Sequence, residues 1–266
     1  MKKVFLFLVT SLLVLGTSSF AKDVSAYLVG AHADLDTVKN RLSRAGFEVV
    51  AEYAPVKEGT TIIFTNSALK AEAAKEKRAH AAVLRVFVDD KEKMISITNP
   101  VYFGRAFMQD DYNSAVYEAQ LASLNGVFKG LEGSADTLED DDIAGFHFMM
   151  GMPYYEDEDE LAEGSNSELL AKAKASNNVL FELHLSDNST LVGYALSAQT
   201  SKFVETIGRA NAAVLPYCVS IEDEKATALA AKYYLAISYP KLTMGEFMEI
   251  SDVPGLIFDE LEKPFK

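Results

Sequence analysis

Ala81-Ala82-Val83-Leu84 recurs as Ala212-Ala213-Val214-Leu215, and an acidic turn follows each copy, Asp89 to Glu92 and Glu222 to Lys225. Downstream, Ile95-Ser96 recurs as Ile237-Ser238, and a proline, Pro100 or Pro240, closes each segment. Gly104 and Phe107 follow the first proline, as Gly245 and Phe247 follow the second. A four-residue match is weak by itself. The repeated order of features around it makes a tandem duplication the preferred reading, with two unrelated α+β halves as the alternative.

Reading outward from the first copy, Val24 to Gly30 has the pattern of a strand. Asp34 then caps a helix that carries Leu35, Val38 and Leu42 on one face and ends at Gly46. Phe47 to Tyr53 and Thr60 to Thr65 are strands around a turn at Pro55 to Gly59. Ala68 to Arg78 is a helix, and Ala81 to Val88 and Lys93 to Thr98 are strands. The order is β-α-β-β-α-β-β.

The second half repeats that order. Gly145 to Met152 is read as an apolar strand, and Ser165 with Glu168 forms a capping box before a helix. Val179 to Leu185 and Thr190 to Leu196 are strands around Ser186-Asp187-Asn188-Ser189, and Thr200 to Gly208 is a helix. Ala212 to Ile221 and Ala226 to Ser238 close the unit as a hairpin. Tyr117, Leu121, Leu124 and Phe128 have helical spacing in the intervening segment, before a solvated acidic linker at Glu139 to Asp142. Two helices end the chain, one capped by Thr243 with Glu246, the other opening near Pro254. The expected class is α+β. Residues 1–21 precede a first unit at 22–108, a helical and acidic linker at 109–144 and a second unit at 145–266.

Residues 1–21 have the form of a secretory signal. Lys2 and Lys3 precede an apolar run from Val4 to Leu15, and Ser19 and Ala21 stand at the small positions of a cleavage site. The run is shorter than the ~20 apolar residues of a spanning helix. The expected product is an exported periplasmic protein that begins at Lys22, with no membrane attachment after cleavage. The chain carries 25 Lys and Arg against 39 Asp and Glu. That balance argues against nucleic acid and anionic lipid as partners, both of which need clustered basic residues. A single cysteine, Cys218, cannot form an internal disulfide, and its apolar setting reads as a buried, unreactive thiol.

The helix Val38 to Phe47, the strand Thr61-Ile62-Ile63-Phe64-Thr65-Asn66, the strand Ala82 to Asp89 and Ile97-Thr98-Asn99-Pro100-Val101-Tyr102 together resemble the family known as domain of unknown function 302. The resemblance covers about residues 25–107. It implies a compact α/β domain whose relatives pair as dimers, and no activity. The second unit matches more loosely and lacks the Asn before its proline. If the units are duplicates, the resemblance implies a covalent version of that dimer and hence a monomer.

Signatures of catalysis are absent: there is no CxxC, HExxH, GxSxG or P-loop, nor a GxGxxG after a strand. Asn99, Tyr102 and Arg105 form the candidate ligand surface, where a strand end and a helix start could bind an anion through free N–H groups and the guanidinium. The bland reading has Asn99 capping the helix and the aromatics packing. His147, Met149, Met150 and Met152 offer the imidazole and thioethers that suit Cu(I), with Cys218, Met244 and Met248 as spare ligands. Strand alternation would divide those methionines between two faces, as in an ordinary core. Glu156 to Glu160 reads as a solvated acidic turn, and His184, Ser186 and Asp187 as turn chemistry rather than a triad. His80, matched by Asn211 in the second unit, reads as a capping or surface residue. The expected function is non-catalytic binding of an unknown small molecule or periplasmic protein, with no cofactor. The alternatives are a hydrolase-type site between the units and Cu(I) binding.

Overall fold

A computed structural model describes residues 22–266. The signal-like segment lies outside the described residues. The first unit contains β1 (Asp23–Ser25), β2 (Tyr27–Ala31), α1 (Leu35–Arg44), β3 (Glu48–Val56), β4 (Gly59–Thr65) and α2 (Ser67–Ala73). A 3-10 turn at Ala79–Ala82 leads into β5 (Leu84–Asp89), β6 (Met94–Thr98) and α3 (Pro100–Met108). The connection holds α4 (Ser114–Val127), β7 (Glu132–Gly133) and β8 (Thr137–Glu139). The second unit contains β9 (Asp159–Glu163), α5 (Asn166–Lys174), β10 (Val179–Ser186), β11 (Ser189–Tyr194), α6 (Ala198–Ser201) and α7 (Phe203–Ile207). A 3-10 turn at Arg209–Val214 leads into β12 (Tyr217–Glu222), β13 (Lys225–Ala228) and α8 (Ala231–Ser238). The closing helices are α9 (Met244–Glu249) and α10 (Val253–Glu262).

The class is α+β, with antiparallel sheets. The first sheet has the order β3-β4-β5-β6-β2, with β7 added at its edge, and the second has the order β10-β11-β12-β13-β9. The first strand of each sheet, β2 or β9, therefore returns beside the last of its unit, β6 or β13, and both sheets share one wiring. Local signals explain the helices. The Asp34 side chain accepts from Thr37 N–H, Ser165 accepts from Glu168 N–H, and Thr243 and Glu246 close a complete capping box. Val38 and Leu42 of α1 and Leu169 and Ala173 of α5 are the buried stripes those caps present to the sheets.

Several readings change. Gly145 to Met152 is a series of turns, and the first strand is β9, drawn partly from the acidic run at Glu156 to Glu160. Glu158 is largely buried against His80 rather than solvated. Ala226 to Ser238 divides into β13 and the helix α8, so Ile237-Ser238 does not match Ile95-Ser96 of β6. The Ala-Ala-Val-Leu copies fall at equivalent places, but their alanines form 3-10 turns ahead of β5 and β12 rather than strand. Finally, Glu139 to Asp142 is not a free linker, because β8 pairs with β1.

The units meet through equivalent positions. The 3-10 turn of each packs against the sheet of the other. Tyr102, the third residue of α3, donates its hydroxyl to the carbonyl of Ile237, the seventh of α8, at 2.9 Å. Tyr233, the third residue of α8, donates to the carbonyl of Ala106, the seventh of α3, at 3.2 Å. Arg85 and Cys218, each the second residue of its strand, touch at 3.3 Å. Reciprocal contacts of this kind mark a two-fold arrangement, here within one chain.

Candidate functional site

The seam between the units and a groove on the first unit both collect polar side chains. The seam is filled. Phe107 stacks on Tyr155 at 6.0 Å and packs against Tyr234 at 6.1 Å, and Tyr155 meets Tyr233 edge-on at 6.0 Å. Burial pushes the hydroxyls of Tyr102 and Tyr233 far above the ordinary tyrosine range, so both stay neutral donors. The cavity there measures about 10 Å³, room for one water-sized particle, and is lined by His80, Arg85, Cys218 and aromatic side chains. A substrate-sized cleft for the hydrolase reading is not formed at this seam. His80 is buried, not a surface residue, and its Nε2 stands 3.4 Å from Glu158.

The groove has a volume of about 510 Å³, within the range of small-molecule sites. Its walls are β1, the start of α3, the flank of α4 and the segment following β8. Asn99 and Arg105 line it, and Tyr102 does not, since that side chain points into the seam. Asn99 is also committed. Its Oδ1 accepts from Val101 N–H at 3.1 Å and its Nδ2 donates to the Ser25 carbonyl at 2.8 Å. With Pro100 lacking an N–H, little of the helix start is left for an anion. The sequence-predicted trio is therefore split, and the capping role predicted for Asn99 is what forms.

Arg105 carries the charge of the groove. Its Nη2 donates to Asp140 Oδ2 at 2.6 Å, its Nε stands 2.5 Å from Oδ1, and the guanidinium lies 4.7 Å over the Tyr112 ring. Burial pushes the Tyr112 hydroxyl up to about 12. Leu28, Val101 and Leu121 supply an apolar wall, and Lys22, Asp23 and Glu118 add charges of both signs at the rim. An amphipathic organic molecule suits such a surface better than a simple anion, because the Arg105 guanidinium is already paired. Tyr112 and Asp140 escaped the sequence reading. The pairing of β1 with β8 brings Asp140 to Arg105, and no local pattern encodes it.

The copper candidates lie on turns, not on a strand, so their separation onto two faces falls away. Met149 is 44% and Met150 95% exposed, while Met152 is half-buried. His147 packs its ring 4.4 Å from that of Tyr154. Phe148 stacks on Phe247 at 5.1 Å, which sets the turn beside α9 and its exposed Met244 and Met248. Among the described residues no three His, Cys, Asp or Glu side chains come together as a metal cage. His184 Nδ1 lies 3.0 Å from Thr190 Oγ1 across the hairpin, and Ser186 Oγ accepts from Asn188 N–H, as turn chemistry requires. Cys218 is buried on β12.

No protein-family model matches the chain, and no curated protein or solved structure gives a significant match to it.

Proposed function

We propose that the chain is an exported, periplasmic binding protein of non-catalytic type, monomeric, whose groove beside Arg105 takes a small amphipathic organic molecule. The observation that carries this reading is the contrast in volume: the groove offers about 510 Å³ and the seam about 10 Å³. Leu28, Val101 and Leu121 would hold the apolar part of the guest, and the Arg105–Asp140 pair with the rim charges its polar part. The two units are proposed as duplicates, with the resemblance of residues 25–107 to domain of unknown function 302 supporting an internalised pair. Native mass spectrometry of protein purified from periplasmic extract tests the binding reading. A retained small mass on the native chain that Leu121→Trp expels supports it; a mass unaffected by Leu121→Trp, or none on any preparation, overturns it. N-terminal sequencing of the same preparation tests export: Lys22 at the start is expected, and intact Met1 on most molecules refutes it.

A further inference from the structure

Arg85 lies inside the seam with no carboxylate to balance it. Among the described residues no Asp or Glu oxygen comes within ion-pairing distance of its guanidinium. Its Nη2 reaches only the Pro216 carbonyl and Cys218 Sγ, each at 3.3 Å, and its Nε has no hydrogen-bond partner. A guanidinium cannot shed its proton, so a buried one needs a counter-charge. The 10 Å³ cavity beside it is lined by Arg85, His80, Cys218 and the rings of Phe107, Tyr217 and Tyr234. No acidic group lines it. Both tyrosine hydroxyls are spent elsewhere, Tyr217 on the Leu229 carbonyl and Tyr234 on the Val214 carbonyl. Arg85 Nε is thus left beside the cavity without an acceptor.

We infer that this cavity is a binding site for a single monatomic anion, a chloride, held by Arg85 where the two units meet. The space, about 10 Å³ open to the centre of a water-sized particle, suits a single small ion better than a polyatomic one. Among the described residues the internal rival for the counter-charge is the Cys218 thiolate. Burial pushes that thiol up, against the pull of Arg85, which leaves it a neutral S–H able to donate. Because Arg85 belongs to β5 and Cys218 to β12, the ion would tie one unit to the other.

The mature chain should unfold at a higher temperature in sodium chloride or bromide than in sodium gluconate of equal ionic strength. The rise should saturate, and should reach about 5–10 °C once halide exceeds its dissociation constant about a hundredfold. Arg85→Met should abolish the difference. Crystals grown in bromide should show its anomalous signal within hydrogen-bonding reach of Arg85 Nε, a readout that needs no variant to fold. Equal midpoints in halide and gluconate, or a rise without that signal, overturn the inference. So does an ultraviolet thiolate band from Cys218 at neutral pH, which would make the sulfur the counter-charge.

Discussion

Asp89 and Glu222 are the last residues of β5 and β12, equivalent ends of equivalent strands, and the seam treats them differently. Asp89 is fully buried and receives Arg209 from the other unit, Nε at 2.9 Å and Nη2 at 3.0 Å. Arg209 also donates to the carbonyls of Lys57 and Glu58, both at 2.8 Å, so it locks the β3–β4 turn. Glu222 receives one backbone N–H, from Lys77 at 3.3 Å. Arg78, which precedes its alanine pair as Arg209 precedes the other, turns instead to Asp111 at 3.0 Å and to the Tyr155 ring. One end of the seam is closed by a buried, multiply bonded ion pair, and the other is left with an unpaired carboxylate. Similar backbones therefore do not dictate similar electrostatics; a single side-chain direction decides.

The most damaging test of this contrast is Arg209→Met. It strands a buried Asp89, and should cost about 3–5 kcal/mol in denaturant unfolding. Arg78→Met, at the matching position, breaks a pair whose acid is exposed and should cost about 1 kcal/mol or less. Equal losses would refute the asymmetry. Tyr102→Phe and Tyr233→Phe remove the reciprocal seam bonds, which both ends share. Each should cost about 0.5–1.5 kcal/mol, with the two values alike. A large difference between them would show that the seam is not two-fold in energy as it is in contact.

The smallest effect belongs to Glu222. Burial, then the nearby carboxylates Asp223, Glu158 and Glu76, push its acid up to about 7, against the Lys77 N–H. A carboxyl raised in the folded state holds its proton longer there than in the unfolded chain. The folded state thus binds more protons between the ordinary glutamate value and about 7, and stability falls as pH rises through that window. Glu222→Gln should flatten this slope and raise the melting temperature above neutral pH, while leaving acid stability unchanged. A slope that persists in the variant would place its origin elsewhere.

Where local chemistry decides structure, the sequence was readable. Asp34, Ser165 and the Thr243–Glu246 box mark helix starts by hydrogen bonds within one turn, and all three form. The second unit's flanks were misread because their patterns mimic the wrong element. Asp159-Glu160-Leu161-Ala162-Glu163 holds one buried apolar residue, Leu161, and pairs only at a sheet edge, so its first two residues read as the end of an acidic turn from Glu156. Ala231 to Ser238 is buried almost all round, which erases helical periodicity and leaves a strand-like apolar run. Gly145 to Met152 is apolar but contains Gly151 at φ +85°, a turn conformation. Asn99 and Arg105 were singled out as an anion surface from a strand end and helix start, and both line the groove. Tyr102 was not excluded, because its true partner is a carbonyl more than a hundred residues away.

The meeting of Arg85 with Cys218 has a consequence for how such a seam can change. In a pair of identical chains every substitution appears twice, so a position on the axis must tolerate its own copy. Two arginines there would repel, and two cysteines would invite oxidation. Within a single chain the two sides are inherited separately. A cation can face a thiol, and one acid can gain an arginine while its counterpart goes without. Association is also unimolecular, so dilution leaves the seam intact. The two halves are then free to differ, and they do: the groove lies on one and the methionine-bearing turn and helix on the other.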